Sequence, residues 1–86
     1  MDTQVVDFRG ITNDVDFLGR PGLTDWNALL LQIAPRTYMV RLVESMIERN
    51  EERTWFYKRI VGSRKASKAF DKALHDMDWF VNISHT

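Results

Sequence analysis

From Thr24 onward, apolar residues recur at three- and four-residue spacing, the pattern of helices that bury one face. Trp26, Leu29, Leu30 and Ile33 share a face over 24–34, with Thr24 as N-cap and Asp25 at the positive end of the helix dipole. Pro35 disfavours helical geometry at Ala34 and is suited to open a following helix. Met39, Leu42, Val43, Met46, Ile47 and Asn50 continue a stripe onto which Tyr57, Ile60 and Val61 also fall. Residues 36–61 therefore read as one long helix stopped by Gly62, with a break near Asn50 as the alternative. At the standard rise it reaches roughly 39 Å, long for so small a domain, and it argues for a partner along its far half. Ala66, Ala69, Phe70, Ala73, Leu74, Met77, Phe80 and Val81 share a face over 64–82, which predicts a third helix.

Residues 1–23 lack that periodicity. Val6 and Phe8, then Val15 and Phe17, alternate about the turn formers Gly10, Thr12, Asn13 and Asp14, so a short β-hairpin or an extended arm across the helices is expected. Gly19-Arg20-Pro21-Gly22 closes the segment as a loop. The predicted fold is all-α or nearly so: three helices, the central one long, with a non-helical or hairpin N-terminal arm in a single domain, 1–86.

Composition narrows the class. The chain has 86 residues, 44% of them hydrophobic and 12% aromatic, enough for one globular core and too short for a multi-domain enzyme. The absence of cysteine excludes disulfides, thiolate metal sites and a cysteine nucleophile. No apolar run approaches the roughly 18 residues that span a bilayer, and no charged-then-apolar leader opens the chain, so a cytoplasmic protein without membrane contact is expected.

Net charge is zero, but the charges are segregated. Residues 1–52 carry a net −4, residues 53–72 a net +6 and residues 73–86 a net −2. The central segment is either neutralised by other parts of the molecule, with Glu48, Glu51 and Glu52 as candidate partners, or it faces an anionic partner. Ser63 as N-cap is followed by Arg64, Lys65 and Lys68, cations that oppose the dipole of the helix they begin. An anion held by the free N–H groups, the hydroxyl and the basic side chains would offset that repulsion. Arg53, Lys58 and Arg59 flank Trp55, Phe56 and Tyr57, an interleaving of cations and aromatics that suits single-stranded nucleic acid. The candidate anion or nucleic-acid set is thus Arg53, Lys58, Arg59, Ser63, Arg64, Lys65 and Lys68. No helix-turn-helix spacing, Walker loop, RNP motif or zinc pattern accompanies it.

Two tryptophans fall off the apolar stripes of the predicted helices. Trp79 lies beside Lys68, Lys72 and His75, and Trp55 beside Arg59 and the glutamates of 48–52. Trp and Arg dominate interface hot spots, so Trp55, Arg59, Lys68, Lys72, His75 and Trp79 form the candidate partner-binding set. One of the two tryptophans is expected under the N-terminal segment and the other against a partner. Asp71, His75 and Asp78 share a side of the last helix but lack the supporting shell a metal site needs, and the other histidine is His85, near the C-terminus. No nucleophile signature occurs, so no catalytic residue, metal or cofactor is expected. The function these residues point to is a non-catalytic protein-binding module, a small regulator, inhibitor or assembly adaptor whose partner is another protein or a second copy. A nucleic-acid-binding regulator using 53–72 and a structural subunit of a larger particle are the alternatives.

Overall fold

The structure, a computed structural model, describes residues 2–84, so His85 lies outside the described residues. It is a four-stranded antiparallel sheet with one helix packed along it, and it overturns the all-α expectation. The strands are β1 (Gln4–Val15), β2 (Pro21–Ala34), β3 (Thr37–Met46) and β4 (Glu51–Val61), in spatial order β1-β2-β3-β4, followed by α1 (Ser63–Ser84). The helices expected over 24–34 and 36–61 are therefore strands. Pro35 and Arg36 form the tight turn between two of them, with Arg36 in the left-handed region at φ 57°. The chain also turns at Asn50, where a break was the alternative: a single 3-10 turn, Ile47–Arg49, ends on Asn50 at φ 53° and leads into β4.

The reason is apolar content on both sides of each strand. In β2, Trp26, Ala28 and Leu30 point to one face and Leu29 and Leu31 to the other. Such a run satisfies helical spacing as readily as strand alternation. What separates the two readings is residue type, because Thr37, Tyr38, Val40 and Val43 in β3, and Thr54, Trp55, Phe56, Tyr57, Ile60 and Val61 in β4, are strand formers.

The N-terminal segment is neither a short hairpin nor an arm. Gly10 to Asp14, expected as a turn, lie inside one 12-residue strand paired along β2. The actual turn is 16–20, closed by the Gly19 N–H on the Asp16 carbonyl at 2.9 Å and the Asp16 N–H on the Arg20 carbonyl at 3.0 Å.

α1 starts where β4 ends and runs back along the sheet. Its Ala66, Phe70, Ala73 and Met77 pack on Trp26, Ala28, Leu30, Val40, Leu42 and Ile60. The expected boundaries were 64–82, and its cap differs too. The Gly62 carbonyl accepts the first helical bond, from the Ala66 N–H at 3.0 Å, so Gly62 at φ 101° is the cap and Ser63 is already helical. One face of the sheet is thus covered by α1, and no described element lies over the other.

Candidate functional site

The covered face closes at one end around a buried carboxylate. Glu44 of β3 is fully buried and accepts three hydrogen bonds: from Arg53 Nη1 at 2.6 Å, Trp55 Nε1 at 3.1 Å and the Phe17 N–H at 2.7 Å. A bulge in β4 opposite Leu42 and Val43 turns both Trp55 and Phe56 toward this face. Phe17, Trp26, Trp55 and Phe80 stack above it, with Trp26 and Phe80 nearly parallel at 5.5 Å and Phe17 edge-on to Trp55 at 4.6 Å. A charge buried this deeply persists only when paired and fully hydrogen-bonded, and Glu44 is both. The arrangement ties the 16–20 turn to β3 and β4.

A second link reinforces it. Arg20 donates to both oxygens of Asp16, through its N–H at 2.9 Å and Nε at 2.6 Å, and to Glu51 at 3.1 Å. Burial of Asp16 works against its charge, but the Arg20 backbone and side-chain hydrogen bonds and the guanidinium charge outweigh it, so its carboxyl sits below the ordinary range. Arg20 is correspondingly raised by its bonds to Asp16 and Glu51.

The opposite end of the molecule is basic. Lys58 and Arg59 of β4 and Lys65 and Lys68 of α1 line one open groove over Ile60 and Ala69. Arg36 and Arg64 join Lys65 around an adjoining hollow beside Tyr38 and Val61. None of Arg36, Lys58, Arg59, Arg64, Lys65 and Lys68 makes an ion pair among the described residues. Internal neutralisation by Glu48, Glu51 and Glu52 does not occur, because the antiparallel strands carry those residues to the far end, where Glu51 is held by Arg20. Free cations on the first turns of α1 and an edge strand therefore face solvent together.

The structure divides the sequence-derived sets. Of the anion set, Lys58, Arg59, Arg64, Lys65 and Lys68 share the basic end. Arg53 does not, since it lies at the start of β4 against Glu44. Ser63 sits beside the hollow, but its hydroxyl caps nothing. Of the partner set, Lys68, Lys72, His75 and Trp79 lie on the outer stripe of α1, all exposed, with Lys72 bonded to Asp76 at 2.7 Å. Trp55 is a correction: it belongs to the buried aromatic cluster, its indole N–H spent on Glu44, because the charged helix face it was assigned to does not exist. It lies under Phe17 of the N-terminal segment, whereas Trp79 is 53% exposed. Asp78 pairs with Arg9 at 3.4 Å, and no group of three ligating side chains suited to a metal ion occurs among the described residues.

Sequence reasoning overlooked Glu44, although a lone carboxylate in the alternation Val40, Leu42, Glu44, Met46 is a signal that it points inward. Arg36 was also missed, as only the fold brings it to the basic end. No helix is long and apolar enough to cross a membrane among the described residues. No protein-family model, curated protein or solved structure matches this chain.

Proposed function

We propose that this protein is a non-catalytic protein-binding module whose basic end takes an acidic, extended protein segment, acting as a regulator, inhibitor or adaptor by occupying that surface. The observation that carries this is the group of unpaired cations from Arg36, β4 and the first turns of α1 around an apolar floor of Ile60 and Ala69. β4 is an edge strand, so its outer backbone groups are free to pair with an extended segment whose carboxylates meet Lys58, Lys65 and Lys68. A protein segment is favoured over single-stranded nucleic acid by where the aromatics go. Trp55 and Phe56 turn inward, Tyr57 lies on the sheet face away from the α1 side and Tyr38 beside the hollow is half-buried, so no row of exposed rings runs among Lys58, Lys65 and Lys68.

Fluorescence anisotropy separates these classes with two labelled probes, a peptide of alternating Glu and Val and a single-stranded DNA of equal charge. The peptide is expected to bind, with affinity falling at least about tenfold in the Lys65→Glu, Lys68→Glu double variant. Peptide binding that ignores the double substitution overturns the proposal. So does DNA binding tighter than the peptide that collapses by orders of magnitude between about 50 and 200 mM salt.

A further inference from the structure

The open face of the sheet is a second surface, which shares only Arg59 with the basic groove. Strand alternation and register place Val5 and Phe8 of β1, Leu29 and Leu31 of β2, Met39 and Val43 of β3 and Tyr57 of β4 on it. Phe8 is 53% and Tyr57 59% exposed, Leu29, Leu31 and Met39 are half-buried, and Val43 is buried among its neighbours. Sheets that keep one face in water alternate polar with apolar residues, whereas β2 is apolar through Ala28, Leu29, Leu30 and Leu31, the pattern of a strand covered on both faces.

We infer that the cover is a second copy of this chain, packed face to face about a two-fold axis that runs across the strands, so that the strand directions of the two sheets oppose one another. Charge selects this arrangement. On the open face, Arg59 lies toward the basic end, Arg41 near the middle, and Asp25 and Glu52 toward the acidic end. An axis along the strands would lay β4 over β1, setting Arg59 over the Val5 level and leaving it without a carboxylate. An axis across them keeps β4 over β4 and reverses its direction, setting Arg59 of each copy over Glu52 of the other, because both lie at similar distances from the middle pair Leu42–Phe56.

The area reaches the lower bound for a specific dimer, about 600 Å² from each partner. Four strands about 4.8 Å apart and about ten residues long present a plane of roughly 19 by 33 Å, near 600 Å² before side-chain relief is counted. A stable interface of standard size takes about 800 Å² from each partner. The stacked pair would be a β-sandwich with a helix on each outer surface, leaving both β4 edges and the Lys58, Lys65 and Lys68 of each basic groove free.

Sedimentation velocity over a concentration series reads the stoichiometry, with circular dichroism checking that each variant is folded. The wild-type chain is expected to move between 10.1 kDa and twice that mass. Tyr57→Lys, at an exposed position, is expected to raise the dimer dissociation constant at least about tenfold without unfolding the chain. Arg59→Glu should weaken the dimer comparably, and adding Glu52→Arg should restore it. A monomer throughout the series overturns the inference, as does a dimer indifferent to Tyr57→Lys. Failure of Glu52→Arg to rescue Arg59→Glu overturns the two-fold across the strands. Anionic lipid vesicles run in parallel supply the rival outcome: a monomer that binds them through Tyr57 would assign the face to a membrane surface.

Discussion

On the covered face Trp26, Ala28, Leu30, Val40 and Leu42 meet α1 and are buried; on the open face the same strands present Leu29, Leu31 and Met39 with no described element above them. The difference lies less in the residues than in what each face has for company. Polar satisfaction does not separate the two: the covered face bonds both oxygens of Glu44 but leaves Trp26 Nε1 and Asn13 Nδ2 without a partner among the described residues, as the open face leaves Arg41 Nε. One face is covered by α1; no described element covers the other.

The comparison breaks most sharply under side-chain truncation. Trp26→Ala is expected to cost about 3–5 kcal/mol, since Trp26 is fully buried and stacks on Phe80. Tyr57→Ala on the open face should cost no more than about 0.5 kcal/mol at concentrations where the chain is monomeric. Urea denaturation measures both, and equal losses would mean that the open face holds the monomer together as much as the covered one does. Next in size is Glu44→Ala, which strands Arg53 and the Trp55 and Phe17 N–H groups in a buried site and should cost about 3 kcal/mol. Glu44→Gln keeps the shape and an acceptor and should cost less. A neutral Glu44→Ala would show that the aromatic stack alone closes that end.

The smallest effect sharpens the contrast through pH. The Asp16 carboxyl is held below its ordinary value of 3.8 in the folded chain, so its contribution is complete above that value and is lost as pH falls through the lower, folded one. Acid unfolding followed by Trp fluorescence should therefore show a loss of stability below pH 3.8 that Asp16→Asn removes. The same variant should lose about 1–2 kcal/mol near neutrality, as Arg20 keeps only part of its bonding. An unchanged acid limb in Asp16→Asn would place the titration elsewhere.

These contrasts also explain what was legible in the sequence. The terminal helix is readable because only one of its faces is apolar: Ala66, Phe70, Ala73 and Met77 stand against Lys65, Lys68, Lys72 and Asp76. β2 and β3 hide because both of their faces are apolar, which erases the two-residue period and leaves accidental three- and four-residue spacings in its place. Strand-forming residue types held the correct answer in 51–61, but Tyr57, Ile60 and Val61 on a helical stripe spoke for the wrong one. The basic segment 53–72 needed no correct fold to be seen, being a matter of composition. Its internal division did, for the strand carries Arg53 to Glu44 at one end and Lys58 to the groove at the other.

The order of segments along the chain has a consequence for biosynthesis. Each strand pairs with the one made just before it, so the meander can assemble as it emerges, without waiting for a distant segment. Its cover comes last. Until the residues of α1 have been translated, Trp26, Leu30 and Leu42 lie bare on one side while Leu29, Leu31 and Met39 lie bare on the other. A nascent chain at that stage is a sheet with two sticky sides, the kind of species that chaperones hold, and a message cut short before the codons of α1 would yield an aggregate rather than a smaller version of the protein.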